Sequence, residues 1–204
     1  MRSLPNKEKR PSPGLRERKK AKTHEAIQRE ALRLFKAQGY SETTIEQIAE
    51  AAEVSPSTFF RYFPTKEDVV LHDALDPLMV EAFRAQPPEL NPLQAMRRAM
   101  RSVIIDLSPE ELALEEERAF LIRTEPALRS KSLESLVGSL KMFVEIAAER
   151  TGRSPDDFEV RNAVGVVGGI ALAVVFFRTE GDSLTDYFEL MDAGLAHLEA
   201  GLPL

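Results

Sequence analysis

The residues from Thr43 to Lys66, TTIEQIAEAAEVSPSTFFRYFPTK, gather hydroxyl, aromatic and basic side chains on a stretch that reads as two short helices joined by a tight turn. Thr43, followed three residues later by Glu46, is a capping-box pair able to satisfy free backbone donors at a helix start. Ile45, Ile48 and Ala49 then fall on one face. Ser55 is a good N-cap for a second helix, and Pro56 at its first position loses nothing by lacking an N–H. The short connection fits a helix-turn-helix: small Ala49 permits a close crossing, and the second helix is pushed outward toward a DNA major groove. The chemistry offered is recognition of duplex DNA.

Residue types suited to catalysis are scattered. His24, His72 and His197 lie far apart, and each is expected as an ordinary helix residue rather than a ligand. No HExxH, phosphate-cradling glycine loop or nucleophile elbow is present. The acidic run Glu110, Glu111, Glu115, Glu116 and Glu117 could suggest a carboxylate metal site, but charges spread over a helix face are usually solvated. The chain has no cysteine, which excludes disulfides, thiolate metal sites and cysteine nucleophiles. No catalytic residue, metal or cofactor is expected, and the protein is not expected to be an enzyme.

Charge is divided unevenly. Residues 1–66 hold 14 Lys and Arg against 8 Asp and Glu, whereas the remainder holds 13 against 25, within an overall net charge of −6. A basic head on an acidic body suits a protein that docks on phosphate with one end. Arg2, Lys7, Lys9 and Arg10 begin the chain, but no apolar signal-peptide core follows them, so a cytoplasmic location is expected.

Helices must carry these groups. Residues 1–20 hold Pro5, Pro11, Pro13 and Gly14 among charges and are expected as a disordered basic tail. It reads either as a solvated tail or as an arm following the minor groove or backbone through Arg16, Arg18, Lys19 and Lys20. From about Thr23 to Gln38, Ile27, Ala31, Leu34 and Phe35 make an amphipathic helix ended by Gly39. Thr65 with Asp68 opens a longer helix reaching toward Ala85, which Pro77 should kink or split near Asp73 to Asp76. After the break PPELNP, helices are expected over about Pro92 to Leu107, Pro109 to Thr124, Pro126 to Thr151, Asp156 to Glu180 and Leu184 to Gly201. No strand alternation persists, so the fold class is all-α.

Between Arg161 and Arg178 lie 16 uncharged residues, short of the roughly 20 needed to cross a bilayer, and a buried helix is expected there. Gly165 and Gly169 would admit close approach of another helix. Leu184, Phe188, Met191, Leu195, Leu198 and Leu202 form the apolar stripe of a packing seam, either within the chain or between chains.

The motif IAEAAEVSPSTFFRYFPTKEDV, with Gln38, Gly39 and Tyr40 before it, resembles the DNA-binding signature of the TetR family of transcriptional regulators. The resemblance implies an N-terminal three-helix helix-turn-helix domain over residues 21–66 and a larger helical ligand-binding and dimerisation domain over 67–204. It implies phosphate contacts from Thr44, Thr58, Tyr62 and Lys66, which fix register rather than sequence. Ser55, Pro56, Ser57, Phe60 and Arg61 then occupy the exposed start and face of the second helix. There Phe60 could meet a thymine methyl, and Arg61 could grip guanine or clamp phosphate. Phe59 and Phe63 belong to the small core. The chain departs from the family pattern at Glu53, Ser57 and the pair Phe59 and Phe60. A side chain at Glu53 in a positive-φ turn would cost about 1 kcal/mol.

By the same resemblance, the last two helices pair with their twins in a homodimer, the helix after the head links it to the body, and Pro77 is either a hinge or a tolerated kink. FLIRTEPALRSKSL, Phe120 to Leu133, resembles a TetR subgroup with a mycofactocin-regulator-type C-terminal domain, some members of which bind acyl-CoA. An apolar pocket is expected from Phe120, Ile122, Leu136, Leu140, Phe143 and Phe176, with Arg118 or Arg123 for an anionic group. The same apolar residues could equally be plain bundle core. The implied function is a homodimeric repressor released from a palindromic DNA operator by a small hydrophobic or acyl-type ligand. The alternative is a DNA-binding dimer without a small-molecule effector, constitutive or governed by a protein partner.

Overall fold

The computed structural model describes residues 14–177 and 183–203, with no account of the side chains of Glu17, Phe176 and Phe177. Ten helices are present among the described residues, and no strand. They fall into two compact units that divide between Thr65 and Lys66.

The first unit holds α1 (Leu15–Gln38), α2 (Ile45–Ala51) and α3 (Pro56–Tyr62), with α2 packed on both α1 and α3. Helix α1 begins at Leu15, so Arg16, Arg18, Lys19 and Lys20 lie in its first turns rather than in the expected tail. It ends where Gly39 takes φ +94°. Ile27, Ala31, Leu32 and Phe35 from α1 are buried, as are Ile48, Ala49, Phe59 and Phe63. Leu34 is only half-buried, and Leu32 fills the core position instead.

The cap of α2 sits one residue later than the expected pair of Thr43 and Glu46. Thr44 accepts from the Gln47 N–H at 3.2 Å, and Gln47 Oε1 accepts the Thr44 N–H at 2.9 Å. Thr43 is buried, donating its hydroxyl to the Gly39 carbonyl at 2.7 Å and accepting from Gln38 Nε2 at 3.2 Å. A hydroxyl cannot be both sealed under the α1 terminus and turned toward the first turn of α2.

The second unit contains α4 (Lys66–Leu71), α5 (Leu75–Ala85), α6 (Pro92–Asp106), α7 (Pro109–Thr124), α8 (Pro126–Thr151), α9 (Phe158–Phe177) and α10 (Leu184–Glu199). The long helix expected from Thr65 to Ala85 is two helices. They part over His72 to Ala74, and Pro77 falls in the first turn of α5, where its missing N–H has no intrahelical partner to lose. Asn91 with Gln94, Ser108 with Glu111 and Ser183 with Asp186 form reciprocal capping boxes that start α6, α7 and α10. Helix α9 starts later than expected, at Phe158, because Asp157 Oδ1 accepts the Glu159 N–H at 2.8 Å. The PPELNP break is held by Arg150 of α8. Its guanidinium donates to the carbonyls of Leu90 at 3.1 Å and of Pro87, and lies 5.4 Å from the Phe83 ring centre.

The main core joins Val80 and Phe83 of α5, Ala95, Met96, Ala99 and Met100 of α6, Ile146 of α8, and Met191 and Leu195 of α10. Of the two readings open for the α10 stripe, a seam within the chain or between chains, the packing is that of a seam within the chain. Leu184, Met191 and Leu195 are buried against the same chain, Phe188 packs on that core, and Leu202 lies beyond the helix, exposed. The expectation for α9 also needs correction. Val160, Val164 and Gly168 are buried, but Asn162, Gly165, Gly169 and Ala173 are exposed on the other side. The window Phe158–Val175 is long and apolar enough to cross a membrane by length and composition, yet only 17% of it is buried in the chain.

Candidate nucleic-acid interface and body cavity

The turn between α2 and α3 is fixed by backbone bonds. Val54 N–H donates to Ala49 O at 2.9 Å and Glu53 N–H to Glu50 O at 3.0 Å, the paired bonds of a Schellman ending. Such an ending needs a left-handed residue at its centre, and Glu53 takes that role with φ +54°. The chain then enters α3 at Ser55, whose Oγ accepts the Thr58 N–H at 3.1 Å and donates to Thr58 Oγ1 at 3.0 Å. The Ser57 hydroxyl lies 2.9 Å from Ser55 Oγ.

Helix α3 is two-faced. Phe59 is sealed in the core, Phe63 just beyond the helix is also buried, and His24 of α1 lies 4.2 Å from the Phe63 ring centre. Ser55, Pro56, Ser57, Phe60 and Arg61 are exposed, Phe60 by 52%. Thr58 and Tyr62 are half-buried at the edges of that face, and the Arg61 guanidinium lies 5.5 Å from the Tyr62 ring centre. Thr44 is exposed at the start of α2. Lys66, the first residue of α4, is half-buried and belongs to the second unit. Sequence reasoning missed Gln47 and the role of Gln38, whose Nε2 donates to Gln47 Oε1 at 2.9 Å and so ties α1 to the α2 cap. A residue three places after Thr44 that can bond back to it was the available signal.

The second unit holds a partly open cavity of about 340 Å³, walled mainly by apolar side chains such as Met79, Met100, Ile122, Leu136, Leu140 and Phe143. That is within the size range of small-molecule pockets, roughly 300–1,000 Å³. Of the expected pocket residues, Arg118, Ile122, Arg123, Leu136, Leu140 and Phe143 line it. Phe120 does not, being half exposed on the outer side of α7, and the Phe176 side chain lies outside the described residues.

The carboxylates in the cavity wall, Asp73, Asp76 and Glu115, were not foreseen. Arg118 donates from Nε to Glu115 at 2.7 Å and from a terminal nitrogen to Asp73 at 2.9 Å, so it is not the open anion partner expected of it. Ser139 donates to Asp76 Oδ2 at 2.7 Å. Burial pushes the carboxyls of Glu115 and Asp76 above the ordinary range, opposed only in part by the charge of Arg118 at Glu115 and by the Ser139 hydrogen bond at Asp76. Burial works against the charge on Arg118 too, but Asp73 and Glu115 more than offset it, and the guanidinium holds its proton more firmly than usual. His72, beside this group, is pushed down by burial. Glu115 therefore corrects the reading of the acidic run as wholly solvated. The spacing of Glu115 and Arg118 was visible in the sequence, but the face they share was not.

Residues 27–72 match the family described as bacterial regulatory proteins, tetR family, and residues 90–203 match the MftR C-terminal domain family. The chain is 40% identical over 194 residues to the HTH-type transcriptional regulator TcmR of Streptomyces glaucescens, covering 89% of this chain and 83% of that protein. It is 25% identical over 190 residues to MftR of Mycobacterium tuberculosis, covering 89% and 95% respectively. Among solved structures, FadR of Thermus thermophilus, a TetR-family transcriptional repressor in complex with lauroyl-CoA, is similar with a TM-score of 0.53 and 26% identity. The match covers 89% of this chain and 95% of that one. An outward α3 on a helix-turn-helix, a helical second unit and these matches agree: the chain belongs to the TetR family of DNA-binding transcriptional regulators, and its second unit is of the MftR C-terminal type.

Proposed function

We propose that this protein is a homodimeric, cytoplasmic repressor that two copies of α3 hold on a palindromic operator, and that a small, largely apolar ligand in the body cavity releases it. The observation that carries the reading is the position of the cavity in the chain. Leu71, Asp73, Leu75 and Asp76, around the break between α4 and α5, form part of its wall, and α4 follows directly on the helix-turn-helix unit in sequence. A ligand that prefers one arrangement of that break shifts the population of head positions by its difference in affinity between arrangements. Two heads reading half-sites about 34 Å apart are sensitive to such a change.

Dimerisation through the last two helices is supported by α9. Its apolar length with Gly165, Gly169 and Ala173 exposed is costly to leave in water, and the small residues suit close approach of a second helix. The α10 leucine stripe, spent on the chain's own core, is not the contact surface; its outer face, with Leu190, is. An acyl-type ligand finds support in lauroyl-CoA bound by the Thermus thermophilus relative. Phosphate contacts from Thr44, Thr58, Tyr62 and Lys66, and base-edge contacts from Ser55, Pro56, Ser57, Phe60 and Arg61, complete the reading.

The test is a gel shift with the purified protein and DNA flanking its own gene, challenged by a panel of apolar compounds with and without acyl groups. Retarded DNA released by at least one compound is the expected result. Retardation that no compound loosens favours the effector-free dimer instead.

A further inference from the structure

The polar part of the cavity wall is anionic, which decides what kind of polar group an occupant must carry. Three carboxylates, Asp73, Asp76 and Glu115, line the cavity with two guanidiniums, Arg118 and Arg123. Arg118 is already committed to Asp73 and Glu115. Asp73 uses both oxygens, on Arg118 and on the Leu75 N–H, whereas one oxygen of each other carboxylate is open: Glu115 Oε1 and Asp76 Oδ1 accept no hydrogen bond among the described residues. Arg123 makes no side-chain hydrogen bond or ion pair among the described residues and is the one feature that would favour an anion.

Resting on the reading of the cavity as an effector site, we propose that the effector is an apolar molecule with a hydrogen-bond-donating cationic end, a protonated amine, which Glu115 and Asp76 receive, rather than a carboxylate or an acyl-CoA. The walls supply apolar contact along the rest of the molecule. An anion placed beside Asp76 and Glu115 meets repulsion that their partial burial leaves less screened than in bulk water, whereas an ammonium gains attraction there. The same cation restores to both carboxylates the stabilisation of the charged form that burial removed, and so draws their raised proton affinity back down. Ser139 orients Asp76, and Arg118 orients Glu115, so both acceptors are held before the ligand arrives. Acyl-chain binding by the Thermus thermophilus relative therefore transfers to this chain as far as the apolar part and no further.

Three probes of equal chain length isolate the end group: decylamine, decanol and decanoate, titrated calorimetrically into the full-length protein at neutral pH. Decylamine should bind at least about tenfold more tightly than decanoate, with decanol between them. Asp76→Asn, which keeps an acceptor for Ser139, should narrow that ratio to about threefold or less. Glu115→Gln should do the same, and if it fails to fold, Asp76→Asn alone carries the test. Decanoate binding as tightly as decylamine, or a ratio untouched by Asp76→Asn, overturns the proposal and leaves the cavity standing as an effector site. Binding by none of the three overturns both.

Discussion

Arg118 on α7 reaches Asp73 in the break between α4 and α5 with 2.9 Å between terminal nitrogen and Oδ2, joining residues 45 apart in the sequence. The arginine side chain is only 12% exposed and its other partner, Glu115, 9%. Removing one member of such a group leaves buried charge uncompensated. Arg118→Met should therefore destabilise the protein by about 3 kcal/mol. Asp73→Asn should cost nearer 1 kcal/mol, because Asp73 is one-third exposed and an asparagine oxygen can still accept the Leu75 N–H that Oδ1 takes at 2.9 Å. Urea denaturation of the two variants against the parent tests the order, and equal losses would contradict it.

Glu53 holds a left-handed backbone in the turn before α3 with its side chain exposed. Glu53→Gly should stabilise the protein by roughly 0.5 kcal/mol: relief of about 1 kcal/mol of strain, less the greater freedom glycine adds to the unfolded chain. A thermal shift upward, with DNA binding retained, is the expected observation.

Adjacent phenylalanines on α3 should separate fold from function. Phe59→Ala removes a fully buried ring and should cost about 3–5 kcal/mol of stability. Phe60→Ala, on the half-exposed ring next to it, should change stability by about 0.5 kcal/mol or less yet weaken operator binding. Lys66→Ala should lower affinity for specific and random DNA alike and reduce the salt slope by about 1, while Arg61→Ala should alter sequence preference. Equal loss on specific and random DNA for Arg61→Ala would assign that side chain to phosphate. Fluorescence anisotropy across a salt series reads all three.

The glycines of α9 and α10 test the dimer. A Cβ at Gly165 or Gly169 meets nothing within 4 Å in the chain, whereas one at Gly168 would lie 2.8 Å from Leu140 and one at Gly194 2.7 Å from Ile170. Gly169→Glu should leave the monomer folded and shift the mass in light scattering from dimer to monomer, with loss of operator binding. Gly168→Ala, whose Cβ meets the end of the half-buried Leu140 side chain, should instead leave the dimer intact at a small cost in stability. A dimer that survives Gly169→Glu would place the contact between subunits elsewhere.

Local interactions were legible in the sequence. Helix starts at Pro92, Pro109 and Pro126 appear where first-turn prolines announced them, because a proline there loses no intrahelical bond, a condition set within one turn. The Ser55 and Pro56 start of α3 was readable from local signals, whereas the strained turn at Glu53 was legible only against the pattern of the resembled family. The missed α2 cap shows the limit: Thr43 and Thr44 offer the same hydroxyl, and burial of Thr43 beneath Gln38 and Gly39 decides between them.

Tertiary structure alone decided where each face turns. A stripe of leucines on α10 is the same pattern whether its partner is the chain's own α6 or another molecule, and packing assigned it to the chain. Glycines at 165, 168 and 169 look alike in sequence, yet only Gly168 is pressed by a neighbour. Asp76, Glu115 and Ser139 come from three helices, α5, α7 and α8, and Asp73 from the break before α5. Their meeting on the wall of one cavity depends on helix packing over tens of residues, which no local spacing encodes.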